Sequence, residues 1–551
     1  MIEPQQVDSE LEKYEGAIEA TKAQLEEIRR NVTELTSDNE GQIFEAHIIL
    51  LEDPSLHNKV DTMLRERLTN VSYCFYAVIQ GYMEALRRAK DSYLAERATD
   101  MEDVAMRVLA NLSKDDAAEI DHDHILVAYD LTPSDTVNLD RQKMRGFATE
   151  QGSYTSHTAI LARSMGIPAV VGIEGAVMDA QTLASCILDG TRGLMIINPS
   201  RETVDYYRQL WTQEEELRAR LVKESSEPSV TLDGRKITLS ANVEFYNEIE
   251  NLKDQGADGI GLFRTEFFLL ESGEMPDEDQ QAEFYTKVVT EVAPSMTIFR
   301  TLDSGGDKMS AEKLDKPEPN PFLGRRGIRF SLAEPEIFKI QLRALLRATA
   351  HGKVGIMFPM VSQLSQIESA KELLEECRQE LIEEGLPVGE TYQIGVMIEI
   401  PSAAILASGL APLVDFFSIG TNDLVQYTTA VDRVNELVSY LYRSADPSVL
   451  RLMRMTAEAG RDAGVWTGVC GEMAGDIELL PLLIGLGVEE LSVGASNVPL
   501  VKSALRRLRY DDCREMVVRA FKLNKAQDIR KLSRRIAEEA YPIILRHVTA
   551  E

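Results

Sequence analysis

The sequence predicts a multidomain α and α/β protein: a helical bundle over residues 1–118, a small α/β unit over 119–224 and a (β/α)8 barrel of the TIM type over 225–551. Three observations predict it. The first hundred or so residues carry helical periodicity with no strand pattern before about residue 123. From Ile125 the texture changes to short apolar runs separated by Gly, Pro, Asp and Asn turns. Beyond Ser229, eight strand-like runs alternate with helical stretches, the pattern of a β/α barrel.

In the first segment, Leu11, Tyr14, Ile18, Leu25, Ile28, Val32 and Leu35 recur on one helical face, with charges opposite. A turn at Ser37-Asp38-Asn39-Glu40 precedes a second helix, Ile43 to Leu51. Further helices are predicted over 55–67, 70–90 and 91–112. Such a bundle of hairpins is a structural unit, a dimerisation unit or a docking module. The second segment offers the strands ILVAYDL, GFATEQ, AVVGI, CILDG and LMIINPS, then a charged helix over 200–222 with Tyr206, Tyr207, Leu210 and Trp211 on one side. Ser225-Ser226-Glu227-Pro228-Ser229 predicts a short linker. The barrel runs are Ile237–Val243, Gly259–Phe263, Thr297–Leu302, Val354–Phe358, Ile394–Ile400, Phe416–Ile419, Trp466–Val469 and Glu490–Val493.

Composition narrows the class. At 44% hydrophobic and 27% charged residues, the chain is that of a soluble globular protein. A formal net charge of −31 argues against a nucleic-acid footprint or an anionic membrane surface. It suits either solubility or a basic protein partner. Five scattered cysteines without metal-ligand spacing predict a reducing compartment and no disulfide framework. No apolar run is long enough to span a bilayer, and the acidic start MIEPQQVDSELEK is not a signal peptide, so a cytoplasmic protein without membrane insertion is expected.

The chemistry centres on Gly152 to Gly172, GSYTSHTAILARSMGIPAVVG. Thr155 and Ser156 are good N-cap residues, Gly166 suits a left-handed C-cap and Pro168 stops the helix. His157 then falls in the first turn of a short helix, where free N–H groups and the dipole favour an anion such as phosphate. Taken alone it is a capping or core histidine, or a nucleophile toward phosphorus. In the barrel, functional residues are expected at C-terminal strand ends. Arg264 follows the second run, Arg300 and Asp303 end the third, Glu399 ends the fifth, Asn422 and Asp423 follow the sixth, and Cys470 and Glu472 follow the seventh. Glu399 interrupts the apolar run VMIEIP, and a buried carboxylate needs a partner. With Asp423 at the level of the next strand, the pair suits Mg²⁺. Pairing with nearby arginines is the other reading. Arg264, Arg300, Arg326 and Arg433, from four barrel segments, suit a small anion carrying phosphate and carboxylate. Cys470 is either a small buried apolar residue or a proton donor facing a substrate.

TSHTAILAR followed two residues later by GIPAVVG resembles the phosphohistidine motif of the phosphoenolpyruvate-utilising enzymes. The SHTAI form is most similar to the enzyme I family of the bacterial sugar phosphotransferase system. FEAHIILLEDPSL and SYLAERATDMEDV resemble that family's docking subdomain for the phosphocarrier HPr, with His47 read as a core or interface residue. GIGLFRTEFFL, FRTLDSGGDK, NPFLGRR, MFPMVS, FFSIGTNDLVQYT, AVDR and TGVCGEMAGD extend the likeness over nearly the whole chain. The resemblance implies a swivelling phosphohistidine domain and a phosphotransferase that phosphorylates His157 from phosphoenolpyruvate, releases pyruvate and hands the phosphoryl group to HPr. It implies that Arg300, Arg326, Arg433 and Asn422 hold the substrate, with a backbone contact following Asn422 at Asp423. It further implies that Glu399 and Asp423 bind Mg²⁺, that Cys470 protonates enolpyruvate, and that the barrel dimerises. Two departures stand out. The family usually opens with a strand bearing an ASPG-type segment, whereas this chain opens in the helical region. The usual GGRTSH is GSYTSH, with Ser153 and Tyr154. An impaired or regulatory member is therefore an alternative reading. A dikinase or synthase is another, but it requires a nucleotide domain for which the chain has no room.

Overall fold

The computed structural model describes residues 2, 6–35, 51, 54–88, 104–105, 107–109, 111–112, 123–129, 131, 143–150, 167–173, 184–270, 275–303, 320–433, 435 and 437–548. The chain divides into two compact units, Met1–His122 and Asp123–Glu551. No helix among the described residues is long and apolar enough to cross a membrane.

Apart from Ile2 and the connection at 68–70, the described residues of the first unit are helical, with helices Val7–Leu35, Pro54–Arg67 and Val71–Arg88. Tyr14, Ile18 and Leu25 lie on one stripe of the first helix and are buried against Leu56, Val60 and Leu64 of the second and Phe75 and Ile79 of the third. Tyr14 joins all three, its ring 5.5 Å from that of His57 and 5.8 Å from that of Phe75. Asn111 donates to Thr21 Oγ1 at 2.8 Å and exchanges hydrogen bonds with Gln24. The expected helix ending at Leu51, and with it His47, lies outside the described residues apart from Leu51.

The second unit opens with two small sheets. Strands β1 (His124–Ala128), β2 (Met144–Thr149) and β3 (Ala169–Val171) form a parallel sheet in that order, and β4 (Cys186–Asp189) and β5 (Leu194–Ile197) form an antiparallel hairpin. The hairpin turn is closed by the Asp189 carboxylate, which accepts from the N–H groups of Thr191 and Arg192. Helix Arg201–Ser225 follows, its N-cap Ser200 accepting from Thr203 N.

The stretch 225–229 makes contacts with the barrel at its two ends. Ser225 and Ser229 are buried. The buried Lys502 ammonium donates to the carbonyls of Ser225 and Gly256, at 2.7 and 2.6 Å, and so satisfies a free carbonyl at the helix end. Arg507 forks onto both Glu224 oxygens at 3.0 Å each. Between those two ends, Ser226, Glu227 and Pro228 are exposed.

The barrel is closed: β6 (Thr238–Val243), β7 (Gly259–Arg264), β8 (Met296–Arg300), β9 (Lys353–Phe358), β10 (Gln393–Ile398), β11 (Phe416–Ile419), β12 (Trp466–Val469) and β13 (Glu490–Gly494) pair in parallel, and β13 returns to β6. Each expected run is a strand to within a residue or two. Inside, Leu262, Ile298, Met357, Met397, Phe416 and Cys470 pack together, so the interior is a core. Phe416 and Trp466 stack at 4.6 Å toward the N-terminal ends of β11 and β12. The outer faces bury Val288, Leu342, Leu374, Val449 and Leu483 of the surrounding helices.

Candidate active site

At the C-terminal mouth of the barrel, β8 ends in Arg300, and Asp303 lies three residues beyond. The Asp303 carboxylate forms an ion pair with Arg300 Nη1 at 3.0 Å and accepts from Arg326 Nη2 at 3.0 Å, the latter arriving from the segment after the short turn Pro321–Leu323. Glu266, one residue beyond the β7 end residue Arg264 and its neighbour Thr265, pairs with Arg300 Nη2 at 3.1 Å and accepts from Asp303 N at 2.8 Å. Thr265 Oγ1 donates to the Arg300 carbonyl at 2.9 Å, while Gln341 reaches both Thr265 Oγ1 and Leu302 N. Arg300 and Arg326 are thus held in a preset geometry. Burial lowers their pKa, but the carboxylates around them more than offset it and both are raised above the usual arginine value. Arg264 pairs with Glu244 at the end of β6.

Glu399 directly follows β10 and is buried. Its Oε1 accepts from Met360 N at 2.5 Å, whereas Oε2 is buried without a hydrogen-bond partner. Burial first, then the negative charges of Asp303 and Asp423, push its carboxyl up to about 8. Among the described residues neither Glu399 nor Asp423 forms an ion pair with an arginine; Arg300 and Arg326 are taken by Asp303 and Glu266, and Arg264 by Glu244. Asp423 lies in the first turn of helix Thr421–Thr429 rather than on a strand end.

On the far side, Cys470 follows β12. Its N–H donates to Ile419 O at 3.1 Å and its carbonyl accepts from Asn242 Nδ2 at 3.0 Å. Asn242 Oδ1 in turn accepts from Ser492 Oγ, so β6 and β13 jointly set the Cys470 backbone. Burial pushes the thiol up to about 11, with Glu399 adding to the rise and Ser418, Arg300 and Arg264 opposing it. Asn422 Oδ1 accepts from Glu472 N at 2.9 Å. Arg433, past the helix Thr421–Thr429, receives support at its N–H from Gln426 Oε1.

Arg300, Arg326, Asp303, Glu399 and Asp423 therefore act on one another across one mouth. Arg264 ends β7 on the same rim, and Arg433 follows helix Thr421–Thr429. His157 lies outside the described residues. Glu266, Gln341, Tyr427 and Tyr442 also belong to the mouth and were not singled out in the sequence. For Glu266 the signal was present, a charge two residues past an apolar strand. For the tyrosines there was none, because their neighbours come from distant segments.

A closed barrel whose mouth gathers arginines, acids and a buried thiol is of the class that works on small phosphorylated or carboxylated anions. Residues 218–510 match the description "PEP-utilising enzyme, PEP-binding domain", 120–193 "PEP-utilising enzyme, mobile domain" and 1–97 "PEP-utilising enzyme, N-terminal". The chain belongs to the PEP-utilising enzyme family. It is 40% identical over 530 residues to the phosphoenolpyruvate-protein phosphotransferase of Mycoplasma capricolum, covering 96% of this chain and 92% of that protein. Proteins of the same name from Staphylococcus carnosus (40% over 526 residues, 95% and 92% covered) and Listeria innocua (39% over 537 residues, 97% and 94% covered) are similar to it as well.

Proposed function

We propose that this chain is a phosphoenolpyruvate–protein phosphotransferase that phosphorylates its own His157 and passes the phosphoryl group to HPr. The observation that carries this reading is the conjunction, at one barrel mouth, of two buttressed arginines, a buried carboxylate with an orphan oxygen and a protonated thiol. Arg300 and Arg326 would hold the anionic groups of phosphoenolpyruvate, with Arg264, Arg433, Asn422 and the backbone at Asp423 completing the site.

An imidazole nitrogen of His157 attacks phosphorus, the phosphorus–oxygen bond to the enol carbon breaks, and the electron pair leaves as enolpyruvate. Positioning and electrostatics carry most of such a step. Cys470 then donates its Sγ proton to the methylene carbon, giving pyruvate, and the thiolate recovers a proton from water. A thiol pushed up to about 11 is protonated at neutral pH, as a donor must be.

The residues fit Mg²⁺. The orphaned, buried Glu399 Oε2 and the mutual repulsion with Asp423 both call for a cation, and hard oxygen ligands suit this one. Glu399 and Asp423 would hold it, and when bound it would supply neutralisation of phosphoryl charge. The five cysteines are free, in keeping with a cytoplasmic setting. A homodimer through the barrel goes with the family resemblance, and sedimentation tests it.

The deciding experiment incubates the protein with labelled phosphoenolpyruvate and Mg²⁺, with and without HPr. Acid-labile, base-stable label should appear on His157 and move to HPr. Label on another residue, or a labelled His157→Ala protein, would overturn the reading.

A further inference from the structure

We propose that Asn242 is a positioning residue for proton delivery: by holding the Cys470 carbonyl it fixes the direction in which the thiol presents its proton. The inference rests on the reading of Cys470 as the acid that completes pyruvate. Alternation along β6 buries Leu239, Ala241 and Val243 against the outer helices, which leaves Ser240 and Asn242 on the inner face of the barrel. On β13 the same alternation turns Leu491 and Val493 outward and Glu490 and Ser492 inward. Their neighbours inside are apolar, Leu262, Ile298 and Met357 among them. Polar groups on such a face are costly unless they pair, and these pair in two tiers. Ser240 Oγ donates to Glu490 Oε1 at 2.6 Å, and Ser492 Oγ donates to Asn242 Oδ1 at 2.7 Å. Gly261 makes room for the second tier, since a Cβ there would lie 2.6 Å from Ser492 Oγ. This tier runs on to the site, where Asn242 Nδ2 donates to the Cys470 carbonyl at 3.0 Å.

The place of that bond gives it its role. The paired residues of β12 and β13 end at Val469 and Leu491, so Cys470 stands one residue past the ladder. Its N–H is held from the other side, by Ile419 O at 3.1 Å. Asn242 thus supports the carbonyl where the β13 backbone does not. Ser492, by donating to Oδ1, turns the Nδ2 end of the amide toward Cys470. The Cys470 Sγ lies 3.7 Å from the Ile419 carbonyl, a resting acceptor for its proton. To serve the substrate, the thiol turns from there about a fixed backbone. The Sγ–H bond breaks and a C–H bond forms at the methylene carbon. The electron pair of the enolate oxygen closes the carbonyl of pyruvate, and a thiolate is left. Such a transfer needs the reacting atoms about 3–3.5 Å apart and in line, so a released Cys470 backbone slows it without touching phosphoenolpyruvate binding.

The test mixes protein, labelled phosphoenolpyruvate and Mg²⁺ in heavy water and quenches rapidly, reading label on His157 and deuterium in pyruvate. The proteins are wild type, Asn242→Ala, Cys470→Ala, the double variant and Ser492→Ala, each with a melting curve. Asn242→Ala should slow deuterium incorporation about tenfold, with KM and the rate of His157 labelling changed less than about twofold. In the Cys470→Ala background the same substitution should cost about twofold or less, because the group it acts through is gone. A phosphoenolpyruvate bearing a methyl group on its methylene carbon adds a stereochemical reading. The wild type should deliver deuterium to one face, and Asn242→Ala should give both configurations. An equal fold-loss in the two backgrounds, a wild-type rate in Asn242→Ala or a single configuration from it would overturn the inference. If Asn242→Ala melts below the assay temperature, Ser492→Ala decides: incorporation about threefold slower supports the inference, and a wild-type rate overturns it. A wild type that takes no label on His157, or undiminished incorporation in Cys470→Ala, would instead fail the functional reading, and the inference with it.

Discussion

Cys470 and Glu399 show how a barrel mouth gives ordinary side chains unusual properties. Buried beneath the site with Ser418 and the Ile419 carbonyl as neighbours, the Cys470 thiol keeps its proton. Cys470→Ala should therefore slow proton incorporation into pyruvate by a factor of roughly 100 or more, the usual range for a lost acid. Transfer from phosphorylated His157 to HPr should be affected far less. Rapid-quench measurement of the two half-reactions checks this, and equal losses would remove the acid role. Glu399 has one oxygen satisfied by Met360 N and one left over. Glu399→Gln keeps the shape but cannot ionise to bind a cation, so Mg²⁺-dependent autophosphorylation should be lost while the melting temperature holds, because without metal the buried carboxyl, pushed up to about 8, is itself largely neutral at pH 7. Calorimetric titration with Mg²⁺ and a melting curve decide it.

At the scale of elements, the site depends on how closely neighbouring βα loops approach. Gly471, just after β12, sits against the start of helix Thr421–Thr429. A Cβ there would collide with Thr421 Oγ1 and lie 2.7 Å from Thr421 N and 3.0 Å from Asn422 N. Two of these are backbone atoms that cannot rotate away, so alanine would push the Asn422–Asp423 turn outward. Gly471→Ala should raise KM for phosphoenolpyruvate strongly and lower stability by about 1–3 kcal/mol, the usual cost of overpacking. A variant with unchanged KM would show that the turn is not a fixed part of the site. Gly327, with φ +56° beside Asp303 and Met360, is the corresponding close contact behind Arg326. The end of helix Arg201–Ser225 is held to the barrel by Lys502, Ser503 and Arg507.

At the scale of the whole molecule, closing the barrel sets β13 beside β6 and buries Glu490 with Ser240, 2.6 Å away, as its hydrogen-bond donor. Burial, opposed by Ser240 and aided by Asp258, pushes this carboxyl up to about 7 from 4.5. A raised folded-state pKa means that the protonated form is favoured by folding. Its contribution is full below about 4.5 and is lost as pH rises through 7, at most roughly 3 kcal/mol for such a shift. The wild type should therefore lose stability between pH 5 and 8 relative to Glu490→Gln, which cannot ionise. Parallel melting curves for the two proteins would expose this, and curves of equal slope would refute it.

Periodicity and composition determined the helical first segment, the eight barrel runs and the strand-end rule that singled out Arg300, Glu399, Asp423 and Cys470. Each of these is a local property, since alternation, turn residues and a charge inside an apolar run are readable within a dozen positions. The histidine motif was legible as a motif alone, and His157 lies outside the described residues. Only the tertiary structure decided the partners. Arg326 on Asp303, Glu266 on Arg300, Tyr442 on the Asn422 carbonyl, and Asn242 beneath Cys470 join residues 20 to 228 positions apart. The anchoring of 225–229 is not legible in its polar letters either: Lys502, which holds the Ser225 carbonyl, stands 277 positions away. Hydrogen bonds and fields fall off within a few ångströms, so which groups hold and tune one another is set only when the barrel closes.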